Sequence, residues 1–271
     1  MNKAFLFIMI GAALWGTIGW YVKHLYTFGF TPMEVVTLRV WSSAFLLIVF
    51  MLLKDAKKLK LYSLSDIKYF IGTGIISIIF FNYCMFTAID LSTIPIATAL
   101  LYTAPAFVTK LSFFIFKESL TRMKVLALIL TLLGTCFVVG LIPIQPSVTP
   151  VASLLFGIGS AIGYALYSIF SKFALKKYSG LSITTYTFVI ASIALLPFFP
   201  YGEKITLLAT PSVLYYAFGL GFLPTAIAYI IYTYGLNQTE VSKASILTTM
   251  EPVVASLIGI FIFMNLSHFF K

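Results

Sequence analysis

Two stretches decide the fold when they are set side by side: Ile94-Pro-Ile-Ala-Thr-Ala-Leu-Leu-Tyr-Thr-Ala-Pro105 and Val241-Ser-Lys-Ala-Ser-Ile-Leu-Thr-Thr-Met-Glu-Pro252. At an offset of 147 residues Ala97 meets Ala244, Leu100 meets Leu247, Thr103 meets Met250 and Pro105 meets Pro252. The runs Phe114-Ile-Phe116 and Phe261-Ile-Phe263 then fall in register. A second pair, Gly11-Ala-Ala-Leu-Trp15 and Ser160-Ala-Ile-Gly-Tyr164, matches at an offset of 149 and brings Lys23 onto Lys172. Two matches in the same order mark an internal repeat, and a repeat sets the architecture before any motif is read.

Working outward, each stretch opens an apolar run of the roughly 20 residues that a membrane-spanning helix needs. Nine such runs are legible: Ala4–Val22, Met33–Leu53, Ile67–Ile89, Ile94–Phe116, Met123–Leu141, Val151–Phe173, Leu181–Tyr201, Ser212–Leu236 and Val241–Met264. The joints carry charge or turn signals, as in Lys54-Asp-Ala-Lys-Lys-Leu-Lys60 and Ile142-Pro-Ile-Gln-Pro-Ser-Val-Thr-Pro150. The first run does not read as a signal peptide. It is long, lacks a small-x-small cleavage site and is followed by further spans.

The repeat unit holds five spans, an odd number, so the second copy enters the membrane upside down relative to the first. Loop charges agree: Lys54–Lys60 is strongly basic, whereas its counterpart 201–211 has one Lys. Inverted repeats are a signature of carriers that alternate access to a site at the midplane. After Phe116 the first copy runs through Lys124 into a fifth helix, but after Phe263 only 264–271 remain. The expected fold is therefore an all-α integral membrane protein of two inverted five-helix repeats, 1–142 and 150–271. Nine spans are visible and the tenth is missing. A truncated sequence is a plainer account of that than a lost helix.

Composition sets the same boundary. The chain of 271 residues is 61% hydrophobic and 10% charged, against about 45–50% and about 25% in soluble domains. That excludes a soluble enzyme, a disordered chain and a nucleic-acid-binding domain. The net charge of +10 reads as Lys and Arg facing anionic lipid. Cys84 and Cys136 sit in apolar runs, and His24 and His268 lie far apart, so neither a disulfide nor a metal site is expected. There is no Walker A loop, no His-Glu-x-x-His and no Ser/His/Asp set, so neither enzyme chemistry nor a cofactor is expected.

The positive-inside rule fixes the orientation. With the N-terminus in the cytoplasm, thirteen of the eighteen basic residues fall inside: Lys3, Lys54, Lys57, Lys58, Lys60, Lys68, Lys117, Arg122, Lys124, Lys172, Lys176, Lys177 and Lys243. Lys23, Lys204 and Lys271 fall outside, and Arg39 and Lys110 lie within spans.

Charges within spans cost about 2.5–3.5 kcal/mol at the helix centre, so they face partners or cavities. Glu251, Arg39 and Lys110 are such residues, and Glu251 is expected to pair with one of the two bases or to carry a coupling proton. In the fourth span Thr98, Tyr102, Pro105 and Thr109 share one helix face. The ninth repeats it as Ser245, Thr249, Pro252 and Ser256. A hydroxyl-lined stripe kinked at Pro suggests a polar cavity at the midplane, with Pro105 and Pro252 as hinges. Trp15, Asn82, Tyr164 and Tyr229 lie deep in other spans and suit an amphipathic solute. Gly159 and Gly163, with Ala255 and Gly259 as a comparable pair, mark close helix approach.

Several short motifs resemble the EamA-type carriers of the drug/metabolite transporter superfamily. They are Ala12-Ala-Leu-Trp-Gly16, Thr37-Leu-Arg39, Tyr102-Thr-Ala-Pro105, Phe116-Lys-Glu-Ser-Leu-Thr121 and Met250-Glu-Pro252. The resemblance covers essentially the whole chain. It implies ten helices in two inverted halves, a central cavity, and export or exchange of small metabolites. Its departure is the end, where Phe116-Lys-Glu-Ser-Leu-Thr121 has only Phe263-Met-Asn-Leu-Ser267 as counterpart.

The expectation is thus a secondary transporter of small organic metabolites, amino acids or related amphipathic solutes, exporting across the plasma membrane by alternating access. Solute would contact Trp15, Asn82, Tyr102, Tyr164, Tyr229 and Thr249. The bilayer and the solute are the expected partners, and a second copy of the chain is admissible. The alternatives are a non-transporting or decayed scaffold and a membrane-embedded enzyme.

Overall fold

A computed structural model describes residues 3–138 and 150–264. The expected end of the fifth span, most of the 142–150 joint and the 265–271 tail, with His268 and Lys271, lie outside these residues. Every regular element among them is helical. Eight helices are long and apolar enough to cross a membrane: Lys3–Thr27, Pro32–Lys54, Leu64–Leu91, Ile94–Phe116, Val151–Ala174, Gly180–Phe198, Pro211–Asn237 and Val241–Ile262. A further helix, Arg122–Val138, runs 17 residues within the described part at the place of the expected fifth span. The chain is a multi-pass membrane protein. Its apolar surface, which includes Leu53, Ile129, Leu155 and Phe198, is what a lipid-facing exterior requires.

Local sequence sets the ends. Pro32 opens the second span in the first turn, where its missing N–H costs nothing. Glu34 reaches back to accept the Thr31 N–H at 2.9 Å, so this membrane-edge carboxylate caps a helix. The seventh span ends at Phe198, earlier than the expected Tyr201. Leu196-Pro-Phe198 tightens into a 3-10 turn, and 201–208 forms a short helix where a loop is expected.

Three spans are broken. The first interrupts at Gly16-Thr17, the fourth at Tyr102-Thr103 and the ninth at Thr248-Thr249. At each break a Thr hydroxyl donates to the carbonyl three residues back: Thr17 to Leu14, Thr103 to Leu100 and Thr249 to Ile246, at 2.6–2.7 Å. The same carbonyls also accept the backbone N–H of that Thr, at 3.0–3.3 Å, so each break is closed by a tight three-residue turn doubled by its side chain. Spans three and eight carry π-helical segments, Gly72–Ile79 and Phe222–Ile227, and the broken ninth span ends in a third, Gly259–Met264.

Successive crossings put Lys3, Lys54, Phe116, Arg122, Ala174, Gly180, Asn237 and Val241 at one end of the bundle, here the near end. Thr27, Pro32, Leu91, Ile94, Val151, Phe198, Pro211 and Ile262 lie at the far end. The core runs through the middle, with Ile8, Trp15, Val40, Ile78, Tyr167, Phe188, Tyr229 and Tyr232 in one buried cluster. Glycine sets some of the helix spacing. A Cβ on Gly163 would stand 2.9 Å from the Phe81 Cβ, so the third and sixth spans meet as closely as the Gly159/Gly163 pair suggests. Of the ninth-span pair, Gly259 faces open space, whereas Ala255 lies at a close approach, its N 3.0 Å from where a Cβ on Gly16 would stand.

Candidate functional site

A cavity of about 270 Å³ lies beside the breaks of the first, fourth and ninth spans. Its walls come from spans one, two, three, four, eight and nine. Trp15, Arg39, Asn82, Tyr102 and Glu251 line its deeper part, and Ile18, Gly19, Val22, Val35, Ile89 and Thr98 line the part toward the far end. At about 30 Å³ per water it holds roughly nine waters, the size of a small metabolite rather than a peptide.

Arg39 lies on the second span and is buried, with its Nε unpartnered among the described residues. The Trp15 Nε1 donor is buried and unpartnered as well. Glu251 follows the ninth-span break and accepts from the Tyr164 hydroxyl at 3.3 Å. Ion pairs form elsewhere, as Lys124–Glu240, Lys177–Asp66, Lys204–Glu34 and Lys243–Glu240, and among the described residues neither Arg39 nor Glu251 belongs to one. Opposite charges thus face one small chamber without closing on each other. The Asn82 amide donates to the Ile78 carbonyl at 2.7 Å, which leaves its side-chain oxygen for a solute.

Beneath the cavity, toward the near end, lies an aromatic floor. Trp15 packs on Tyr229 and Tyr232 at 5.0 Å each and on Tyr164 at 6.1 Å. Tyr232 shares a hydrogen bond of 2.7 Å with Ser168, and Tyr167 one of 3.0 Å with Thr233. The space left among these rings, lined also by Ser77 and Phe81, is about 10 Å³, room for one water at most.

Of the residues named from sequence, Trp15, Arg39, Asn82, Tyr102 and Glu251 come together on the cavity, and Tyr164 and Tyr229 lie in the floor next to it. Thr249 bonds its own helix and is not on the cavity wall. Lys110 lies on the exposed face of the fourth span, away from the cavity, where its long side chain can reach the interface. Pro105 and Pro252 fall in the first turn after their breaks. They start the second half of each broken helix instead of bending a continuous one.

The model of the EamA-like transporter family matches residues 2–140 and again 151–267. This chain belongs to that family. An uncharacterized transporter of Archaeoglobus fulgidus is 32% identical to it, covering 94% of this chain and 86% of its own length. A second from the same organism is 25% identical over 95% and 89%, and the uncharacterized transporter YdfC of Bacillus subtilis is 26% identical over 85% and 74%. One solved crystal structure superposes with a TM-score of 0.77 at 19% identity, covering 96% of this chain and 88% of its own, and shares the fold.

The near end of this EamA-like chain holds a polar cluster to which sequence reasoning assigned no role. Phe116 is followed by Lys117 in the left-handed region, at φ 58°, and the Glu118 N–H returns to the Ser112 carbonyl at 3.3 Å. That turn delivers the Glu118 carboxylate to the start of the ninth span. It accepts from the backbone N–H groups of Val241 at 2.6 Å and Ser242 at 3.0 Å, and from the Ser242 hydroxyl at 2.5 Å. Lys124 pairs with Glu240 at 2.5 Å, and its hydrogen bond holds the Glu240 carboxyl below the usual range, with burial working the other way and Lys243 assisting. Lys172 donates to the carbonyls of Leu236 and Thr239 at 2.8 and 2.7 Å. The signal that pointed here was the motif Phe116-Lys-Glu-Ser-Leu-Thr121.

Proposed function

We propose that this protein is a secondary carrier that moves small amphipathic organic metabolites, amino acids or related solutes, out across the plasma membrane by alternating access. Its N-terminus and near end face the cytoplasm, in keeping with the thirteen basic residues there. The observation that carries the reading is the unpaired meeting of Arg39 and Glu251 on one small chamber. A buried donor without a partner, such as the Arg39 Nε, is costly, and Glu251 is met by the Tyr164 hydroxyl at 3.3 Å but by no cation among the described residues. A zwitterion would relieve both at once, its carboxylate on Arg39 and the Trp15 Nε1 donor, its ammonium on Glu251. An apolar or aromatic tail would lie against Ile18, Val36 and Phe86. The remaining motion is a rocking of the halves about the breaks before Pro105 and Pro252.

Counterflow in proteoliposomes tests this. Vesicles loaded with a panel of unlabelled amphipathic amino acids should accumulate the matching labelled solute above empty liposomes. The Arg39→Gln variant should lose at least tenfold in rate, with acids that lack the amino group and amines that lack the carboxylate competing poorly. Flux equal to that of empty liposomes across the panel overturns the carrier reading.

A further inference from the structure

The cavity and the near-end cluster lie on opposite sides of the aromatic floor. All the cavity's lining residues are at midspan or in the far half of their helices. Toward the near end come the rings of Trp15, Tyr164, Tyr229 and Tyr232, then the Ser168–Tyr232 and Tyr167–Thr233 hydrogen bonds, and last the charged cluster. We propose that Glu118, Lys124, Lys172 and Glu240 form the near-end gate of the transport path, a clamp between the turn after the fourth span and the turn before the ninth that releases once in each cycle. This rests on the alternating-access reading above.

Three features of the clamp suit a gate better than a fixed joint. First, its bonds join segments far apart in the chain: 118–124 to 240–242, and Lys172 to 236–239. Second, it is polar and partly wet. The Glu240 side chain is 37% exposed, although the Oε2 that meets Lys124 is buried, so water stands next to the pair and can enter as it parts. Third, what Glu118 holds is only the near piece of a broken helix. Val241–Leu247 stops at the Thr248-Thr249 break, and the next helical piece begins at Met250 with Glu251 beside it. Releasing the clamp frees Val241–Leu247 to swing about that break, one turn away from the carboxylate on the cavity wall. The left-handed Lys117 supports the assignment. A non-glycine residue adopts that conformation at a cost, and the turn it makes is what aims Glu118 at Val241 and Ser242.

The test reads both ends of the path in nanodiscs, where both faces are accessible. In a background with Cys84→Ala and Cys136→Ala, Ser171→Cys reports the near end and Thr98→Cys the far end, through their rates of reaction with a charged maleimide. Ser171 is fully buried between the floor and the clamp, and Thr98 lines the cavity. Glu118→Gln should raise near-end labelling about tenfold, equivalent to about 1.4 kcal/mol in the opening equilibrium, and lower far-end labelling at least twofold. Lys124→Met should do the same if Glu118→Gln proves too unstable to purify. A rise at the near end with the far end unchanged or faster means mere loosening and overturns the gate, as does an unchanged near end. The readout needs no solute. Absent counterflow with opposed labelling changes therefore defeats the carrier reading alone, and normal counterflow without them defeats the gate alone.

Discussion

The fourth and ninth spans break by the same device and use the break differently. In each, a Thr hydroxyl closes onto a carbonyl three residues back, and Pro follows in the first turn of the next piece. In the fourth span the break residue Thr103 precedes Pro105 by two positions, and both Ala104 and Pro105 are buried in packing. In the ninth, Thr249 precedes Pro252 by three, and the interval holds Met250 and Glu251. Glu251 stands at the place that the 147-residue offset gives to Ala104, and it reaches the cavity. One half thus spends its break on packing and the other on charge. Two copies of a device can diverge in role through a single position while the backbone keeps its form.

The largest effect should come from erasing that difference. Glu251→Ala gives the ninth span the residue found in the fourth. It should cut solute counterflow at least tenfold, as loss of a charge-assisted hydrogen bond worth about 1.5–3 kcal/mol requires. The thermal midpoint in detergent should change little. Counterflow within twofold of the native rate would mean that the asymmetry has no part in binding.

A smaller effect separates the two breaks by what they pack against. A Cβ on Gly16 would lie 2.8 Å from the Glu251 carbonyl oxygen and 2.7 Å from the Val254 Cβ, whereas one on Gly157 would lie 2.8 Å from the Leu100 Cβ of the fourth span. Both substitutions to Ala should destabilise by about 1–3 kcal/mol through overpacking. Gly16→Ala should also lower counterflow about fivefold, because it displaces the carboxylate's own backbone. Gly157→Ala should leave the solute's half-saturating concentration unchanged. Equal losses of transport would show that the ninth-span break holds no special position.

The smallest effect concerns the near ends. The fourth span closes itself with a left-handed turn, but the ninth borrows its start from the Glu118 and Lys124 side chains. Glu240 has a carboxyl held below its ordinary value of about 4.3, chiefly by Lys124. Its contribution is therefore present above that ordinary value and lost as pH falls through the lowered one. The midpoint gap between the native chain and Glu240→Gln should stay constant from pH 6 to 8. It should correspond to less than about 1 kcal/mol, shrink in high salt and close in acid. A gap that persists at pH 3 would assign the effect to packing instead of charge.

How much of this could be read beforehand follows from the physics of each signal. Apolar runs mark spans because hydrocarbon tolerates nothing else, so the spans were legible. Arg39 and Glu251 were legible for the same reason, since a charge in hydrocarbon has to have a use. Lys110 gave the same signal and went elsewhere. Sequence tells the depth of a charge but not the helix face that meets the cavity, and a lysine stem is long enough to escape. Thr249 misled because a hydroxyl at a break satisfies its own helix first. The clamp was hidden because its charges sit at span ends, where charge is ordinary. The one-residue offset between the breaks was hidden because Pro marks the vicinity of a break and not its position.

The π-segments of spans three and eight have a consequence for phase. A residue of α-helix turns the chain by about 100°, and a π-turn holds a residue that the α-helical ladder would have no room for. Gly72–Ile79 lies just before Asn82, and Phe222–Ile227 just before Tyr229 and Tyr232. Each segment therefore sets the angle at which the residues beyond it face the path. Should one relax into α-helix, the piece beyond it would rotate about its own axis while the piece before it stayed packed. Asn82 on one side and the aromatic floor on the other would then turn away from the chamber without either helix having to tilt.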